Sequence, residues 1–549
     1  MTSLTVIAVR LVYVQHVQAA KLSAMAVGQR LREIEIAGER GPVYDRNGQD
    51  LAINVDAASV YATPYLVKDA RSASFKLAPI LGLKPSAIEK KLKEKSGFVY
   101  LARQLDMEKV TEIKKLKLPG INFLPERKRL YPNGELAAHV LGFSGIDNQG
   151  LAGIECYYDD ILKGKPGKLI VEGDPSGAPI PGGIYYKQDA TEGEALYLTI
   201  DKDIQYRAEA ELKKVITDYS AKGGSIIVMD PKTGEILALA SAPGYNPNDY
   251  DKATEAQLMN RAIAQVYEPG STAKIITAAA VVEEKACGLE EVFSLPAAIT
   301  VGGQTFGEYD GQGKGNLTIS GIIAQSSNIG AIELGLRLGK EKLYDYLTAF
   351  GLGEVTGVDL TGEEAGIVPI PDAWSETSIA TIPYGQGISV TTLQMLNAVA
   401  VVANDGAKPT PHVLKRIATK NDESKPYKKK QAKSIDVGTA AVMQNILVDT
   451  VENGTGKNAR IPGYEVGGKT GTAQKPDETG YESGKVIVSF AGYVSNLEPQ
   501  LVIIVTVDEP RATGPQPVYA ATIAAPVFRD IAEFSINRLK IAPGSRARQ

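Results

Sequence analysis

Pro269 and Gly270 interrupt the chain just before Ser271-Thr272-Ala273-Lys274, and an Ala/Ile/Val/Thr run then continues to Val282. A run that is apolar on all sides predicts a buried helix, opened by the Pro-Gly break. Any fold must therefore wrap other elements around a helix whose first turn carries a hydroxyl and an amine. Residues three apart share a helix face, so Lys274 can aim its amine at the Ser271 hydroxyl. A serine hydroxyl is a weak nucleophile at neutral pH without a base beside it, and a helix N-terminus favours the negative charge that builds up during attack. The pair points to acyl transfer by an active-site serine. An N-capping serine followed by a surface lysine accounts for the same residues without chemistry, so partner motifs decide.

Two are present. Ser326-Ser327-Asn328 begins 55 residues after Ser271, and Lys469-Thr470-Gly471-Thr472 begins 143 residues after Ser326. The first offers a second hydroxyl with a carboxamide two positions on; its bland alternative is a helix-capping serine and asparagine. Lys469, Thr470 and Thr472 are expected on a strand edge, where Gly468 and Gly471 let a peptide backbone approach closely, and the hydroxyls and amine suit a carboxylate terminus. For Lys274 to act as a base its pKa must drop; burial and a nearby cation both lower it, and Lys469 is the candidate cation. The three histidines, His16, His139 and His412, form no H-E-x-x-H, and no C-x-x-C exists. That argues against a zinc hydrolase and a serine-histidine triad, and favours lysine as the base.

At 549 residues the chain exceeds one ordinary domain. With 60 basic and 64 acidic residues and one tryptophan it has no electrostatic footprint for nucleic acid. Cys156 and Cys287 read as buried small apolar residues, neither a disulfide nor a metal pair. Residues 4–20 are apolar but interrupted by Arg10 and Gln15, short of the about 20 mostly apolar residues of a membrane span. The segment cannot span as written; a signal peptide with Ala24-Met25-Ala26 as its cleavage site is one reading, though no basic region precedes the apolar stretch. Residues 32–194 form a strand-rich module with short helices, an Asn47-Gly48 turn and a helical stretch from Ser86 to Lys95, ending in a Gly/Pro-rich loop and hairpin system over 164–194. Residues 195–549 are α+β. They open with a strand from Ala195 to Ile200, then an amphipathic helix from Ile204 to Tyr219 with Ala208, Leu212 and Ile216 on one face. A hairpin of Gly224–Met229 and Ile236–Ser241 follows. Later come strands Val486–Val494 and Leu501–Val507 and a last helix over 520–541. This order implies an antiparallel sheet built from both ends of the domain, with helices packed on it. The run 420–434 reads as a solvated loop.

S-x-x-K, S-x-N and K-T-G in this order resemble the signature shared by class A β-lactamases and penicillin-binding proteins. Further segments widen the likeness to nearly the whole chain: Arg40-Gly41-Pro42-Val43-Tyr44-Asp45-Arg46-Asn47-Gly48 with Leu51-Ala52, Arg129-Leu130-Tyr131-Pro132, His139-Val140-Leu141-Gly142-Phe143, Gly150 to Glu155, and Tyr384 to Thr391. Together they resemble a class B penicillin-binding protein of the septal, cell-division type. Ala273 stands where that family often has phenylalanine, which bears on packing more than on chemistry. The resemblance implies a pedestal/dimerisation module over 32–194 and a penicillin-binding transpeptidase domain over 195–549. It further implies a peptidoglycan D,D-transpeptidase with Ser271 as nucleophile, Lys274 as base, and Ser326 as the proton relay to the leaving amine. Asn328 would bond Lys274 and the substrate amide, Lys469 would join them as a catalytic residue, Thr470, Gly471 and Thr472 would bind substrate, and the oxyanion hole would be the N–H groups of Ser271 and Thr472. Implied partners are stem peptides ending in D-Ala-D-Ala, an amine acceptor, β-lactams, a SEDS-family glycosyltransferase and divisome proteins. No metal and no cofactor are implied, and the location is the extracytoplasmic face of the cell membrane, on a single-pass anchor, of which residues 1–31 would be a truncated form rather than a signal peptide. Alternatives are an elongation- or sporulation-type class B protein and a β-lactam-binding sensor or scaffold. A β-lactamase fits less well, because Ser326-Ser327-Asn328 replaces Ser-Asp-Asn and no glutamate motif for deacylation stands between Ser326 and Lys469. Glu333, Glu341, Glu354, Glu363, Glu364 and Glu376 in that interval read as solvated surface.

Overall fold

Three of the amino-terminal segments singled out above converge on one carboxylate. Glu155 is fully buried; Arg40 pairs with its Oε2, Arg129 Nε donates to its Oε1 at 2.7 Å, and the Tyr131 hydroxyl lies 3.3 Å from Oε1. Arg40 also donates to Asp159 Oδ1 (2.7 Å) and to the Asn148 carbonyl (2.9 Å). Burial pushes the Glu155 carboxyl up, but Arg129 and Arg40 outweigh it and hold the group below the usual carboxylate range. In this computed structural model the described residues are 2–22, 25, 31–36, 38–172, 185–309, 311, 313–418, 424–427, 431–477, 480–495, 500–512 and 518–542. Residues 24 and 26 of the cleavage-site triplet, 173–184 of the loop and hairpin system, and 420–423 and 428–430 lie outside them. The rest of 420–434 is not simply loop: Ser424–Pro426 and Gln431–Lys433 are short strands, held by backbone pairing to Leu414–Ala418 and Ala407–Pro409.

Strands β1 (Val43–Tyr44), β2 (Asp50–Ala62), β3 (Val99–Asp106) and β4 (Ile121–Leu130) build the amino-terminal sheet, with β2 pairing antiparallel to the other three. Gly48, at φ 85°, makes the turn between β1 and β2, where a left-handed residue is needed. Helices α1 (Ala70–Leu81), α2 (Pro85–Leu92) and α3 (Met107–Lys115) close a small core around Val60, Leu77, Ile88 and Val110. Strand β5 (Ala195–Leu198) does not open a separate sheet. It runs parallel to β1 and antiparallel to Leu414–Ala418, so one sheet carries strands from both halves of the chain.

Beyond β5 the α+β order holds. Helix α4 (Lys202–Asp218) is capped by Asp201, with Ala208 and Leu212 buried and Ile216 half-buried against the core. Strands β6 (Gly223–Met229) and β7 (Ile236–Ala242) form the expected hairpin. Then follow α5 (Lys274–Glu283), α6 (Asn328–Leu338), α7 (Thr392–Ala403), α8 (Val437–Glu452), β8 (Val466–Asp477), β9 (Gly480–Val494), β10 (Leu501–Asp508) and α9 (Ala520–Arg538). The antiparallel sheet runs β7-β6-β10-β9-β8, putting β8 at an edge. Its register aligns Lys469 with Ala491, Ala491 with Ile504, Ile504 with Ile227, and Ile227 with Leu239. That row faces the large core of α5, α7 and α8, while Phe490 and Ile226 face α4 and α9. Helix α5 is buried from Lys274 through Val281, and every residue of α7 is buried.

Thr2–Val12 is helical, and among the described residues no helix is long and apolar enough to cross a membrane. Cys156 and Cys287 are free thiols and only half-buried, less enclosed than their small apolar character implied.

Breaking a buried ion pair by removing one partner costs about 3–5 kcal/mol, whereas an exposed pair is worth about 0–1 kcal/mol. Arg40→Ala is thus expected to lower unfolding free energy by about 3–5 kcal/mol and Arg127→Ala, at the exposed pair with Glu39, by about 1 kcal/mol or less, as read by denaturant unfolding. Because the Glu155 pKa is depressed in the fold, its contribution is present above the ordinary carboxylate range and lost as pH falls through the lowered value.

Candidate active site

Ser271 does not sit in the first turn of the α-helix itself. Gly270, at φ 55°, forces a single 3₁₀ turn over Gly270–Ala273, held by the Thr272 hydroxyl on the Pro269 carbonyl (2.8 Å), and α5 begins at Lys274. The Gly270 N–H donates to the Gly385 carbonyl (3.0 Å) and the Gly387 N–H to Glu268 Oε1 (2.9 Å), so the Tyr384–Thr391 segment braces the turn. A Cβ on Gly385 would lie 2.2 Å from the Gly270 carbonyl oxygen. Ser271 is half-buried, and among the described residues nothing hydrogen-bonds its hydroxyl.

Lys274, with no exposed surface, donates to the Ser326 carbonyl (2.6 Å) and to Asn328 Oδ1 (2.8 Å), with Ser326 Oγ at 3.5 Å. Ser326 takes φ 60°, a left-handed conformation costing a non-glycine residue about 1–3 kcal/mol, and this turns its carbonyl onto the lysine. Capping of α6 falls to Ser327, whose Oγ accepts from the Gly330 N–H at 2.9 Å. Ser326 and Asn328 are thereby left free of the capping role. Lys469, equally buried, donates to Ser326 Oγ at 2.8 Å, so the serine hydroxyl bridges two amines. Burial first and the Lys469 charge second hold Lys274 well below the usual lysine range. Burial brings Lys469 down to about 7.

The K-T-G strand differs from expectation in two respects. Lys469 turns inward because its register row faces the core, so the Thr470 and Thr472 side chains, not the lysine amine, line the cavity. Gly471 makes room for the chain itself: a Cβ there would meet Ser489 Oγ at 2.5 Å, Thr272 Cγ2 at 3.0 Å and the Pro269 carbonyl at 3.1 Å. The missing side chain lets the edge strand lie against the turn that carries Ser271. Thr470 Oγ1 donates to Thr455 Oγ1 (3.0 Å), and Thr472 Oγ1 accepts from the Ala520 N–H (3.4 Å).

Ser271, Ser326, Asn328, Thr470 and Thr472 line one cavity of about 590 Å³. Glu308, Lys314, Tyr384, Gln386 and Tyr519 are among the other residues of its wall, and of these five only Tyr384 and Gln386 lay in a segment marked by the sequence. Glu333, Glu341, Glu354, Glu363, Glu364 and Glu376 are not among the lining residues. The acid that is there, Glu308, precedes Ser326, outside the interval in which the sequence suggested looking.

A hydroxyl at the mouth of a cavity, two buried amines behind it and an edge strand alongside define a serine-type acyltransferase. Comparison with known proteins agrees. The family model for the penicillin binding protein transpeptidase domain matches residues 224–533, and that for the penicillin-binding protein dimerisation domain matches residues 35–198. Over 549 residues the chain is 37% identical to Stage V sporulation protein D of Bacillus subtilis, covering 98% of this chain and 84% of the relative. It is 32% identical to peptidoglycan D,D-transpeptidase FtsI of Escherichia coli, covering 93% of this chain and 86% of that one. The crystal structure of penicillin binding protein 3 from Mycobacterium tuberculosis, complexed with aztreonam, superposes with a TM-score of 0.73 at 29% identity, covering 93% of this chain and 98% of that chain. The chain belongs to the penicillin-binding protein transpeptidase family, as a class B member: a dimerisation domain followed by a serine-type D-Ala-D-Ala transpeptidase domain.

Overpacking a closed site costs about 1–3 kcal/mol. Gly471→Ala is expected to lower unfolding free energy by that amount, because the new methyl must displace the Pro269–Thr272 turn; an unchanged denaturation midpoint would show that the strand and turn are not in contact.

Proposed function

We propose that this chain cross-links peptidoglycan stem peptides during septal wall synthesis through an acyl-enzyme on Ser271. The observation that carries the reading is the Lys274 amine, enclosed in the core and hydrogen-bonded to Ser326 and Asn328 beside a second buried lysine. A lysine so placed gives up its proton readily and, once neutral, accepts one from Ser271 as Oγ attacks the carbonyl between the two terminal D-alanines. The tetrahedral oxyanion is stabilised by the N–H groups of Ser271 and Thr472. Strand β8 lies against the Ser271 turn, where a Cβ on Gly270 would be 3.4 Å from the Thr472 carbonyl oxygen, and this proximity supports the assignment. The C–N bond then breaks, and the proton passes from Lys274 through Ser326 Oγ to the leaving D-alanine amine. An amine of a second stem reverses these steps and takes the acyl group. Asn328 orients Lys274 and the substrate amide, Lys469 tunes Lys274, and Thr470, Gly471 and Thr472 hold the donor backbone.

In this reading residues 195–549 face the wall outside the cell membrane, residues 32–194 are the pedestal and dimer contact, and residues 1–31 belong to a membrane anchor. A SEDS-family glycosyltransferase and division proteins provide the glycan strands. β-Lactams acylate the same serine, as the aztreonam complex of the similar structure suggests. Glu308 is poorly suited to activate a hydrolytic water, since its Oε1 accepts from Ser327 Oγ and the Ile329 N–H and its Oε2 from the Asn328 N–H.

Intact-protein mass spectrometry after a pulse of penicillin tests the nucleophile: wild type should carry one persistent adduct and Ser271→Ala none. An adduct that survives Ser271→Ala would remove Ser271 from its role, and one that disappears within seconds would indicate a hydrolase. The relative named for sporulation, 37% identical, favours a second reading in which the same chemistry serves spore-wall synthesis. Depletion in the source cell separates the two: filamentation is expected for the septal role, and normal division with defective spores for the other.

A further inference from the structure

Glu308 belongs to none of the three motifs, yet it touches the middle one at two points and the residue that follows it at a third. The side chain is 7% exposed on the cavity wall. Its carboxylate accepts from the Ser327 hydroxyl, the Asn328 N–H (2.8 Å) and the Ile329 N–H (3.3 Å). Two of these are N–H groups that the start of α6 leaves without helical partners, and a carboxylate is stabilised at that end of a helix. The clamp spans the residues on either side of the Asn328 side chain and begins immediately after Ser326, whose left-handed backbone needs outside support. With Ser327 to Ile329 held on one carboxylate, the Ser326 carbonyl and Asn328 Oδ1 are presented together to Lys274 at 2.6 and 2.8 Å.

Charge adds a second consequence. Lys274 faces Lys469 from β8, Lys314 from the cavity wall, and Glu308; the two lysines disfavour a proton on its amine and Glu308 favours one. The exposed Tyr309 beside Glu308 remains neutral, its pKa raised by partial desolvation of the hydroxyl. A proton moved from Ser271 to Lys274 creates a buried ammonium close to a second amine, which is costly unless an anion offsets it.

We propose that Glu308 is a positioning residue for acyl transfer: it fixes the Ser326–Asn328 turn on Lys274, and its negative charge lets Lys274 hold the proton taken from Ser271 until it is passed to the leaving amine. The proposal rests on the Ser271–Lys274 reading above.

The test is the rate of acylation by a fluorescent penicillin as a function of pH, measured on the full chain. In Glu308→Gln one carboxylate oxygen becomes an NH₂ facing an N–H or O–H donor, and the charge is lost. Acylation should slow by about a hundredfold, the scale on which small misplacements act, and its acid limb should move to lower pH because Lys274 gives up its proton more readily. Lys469→Met removes a neighbouring cation and should move the limb the other way. Ser327→Ala keeps the charge and loosens the clamp, so it should slow acylation with the limb in place. An unmoved limb in a folded Glu308→Gln overturns the charge role, and a merely structural glutamate would give that result. If Glu308→Gln does not melt cooperatively, Ser327→Ala decides: an unchanged rate overturns the proposal. Labelling that survives Ser271→Ala defeats the underlying reading, whereas Ser271-dependent labelling with an unmoved Glu308→Gln limb defeats this one alone.

Discussion

An amine enclosed by apolar helices is the constraint on which the rest of the transpeptidase half depends. Lys274 opens a helix buried from end to end of its apolar run, and an ammonium there would be poorly solvated. The surroundings answer with oxygen atoms: the Ser326 carbonyl and Asn328 Oδ1 accept from the amine, and Ser326 Oγ links it to Lys469. Each acceptor is itself expensive to place. Ser326 must be left-handed, the Asn328 turn must be clamped, and Lys469 must point inward from an edge strand. The sheet, α6 and the 3₁₀ turn are the scaffold that meets these demands at one place.

The amino-terminal half repeats the same physics without a reactive group. Arg40, Arg129 and Tyr131 converge on a buried Glu155, and the charges are tolerated because each finds a fixed partner. This cluster fixes the amino-terminal segment whose strand β1 pairs with β5, and β5 in turn pairs with Leu414–Ala418 of the catalytic half. The Asn47 amide on Asp201 (3.1 Å) and Arg538 on the same aspartate (3.1 Å) tie that junction to the cap of α4 and to the last helix. The two halves therefore share a sheet and a polar junction.

Local patterning made much of this legible. The apolar run after Lys274, the Asp230–Gly234 turn between two apolar strands, and the face of Ala208 and Leu212 each encode their element within a short window. The motif residues Ser271, Lys274, Ser326, Asn328 and Lys469 were legible as a set because S-x-x-K, S-x-N and K-T-G stand in the order of a known signature. What could not be read depends on long-range register. That Lys469 faces Ser326 follows from a sheet row running through Ala491, Ile504 and Ile227. That Gly471 also makes room for the Pro269–Thr272 turn follows from the same long-range packing. Glu308 gave no signal, since its partners stand about twenty residues away in the next segment and no spacing rule connects them.

The central claim is that burial and a neighbouring cation make Lys274 a base near neutral pH. NMR titration of the Lys274 amine, assigned by comparison with Lys274→Arg, tests it directly. A transition far below the about 10.4 of an ordinary lysine, shifting upward in Lys469→Met, is the predicted result. A transition at the ordinary lysine value, indifferent to Lys469, would contradict the account.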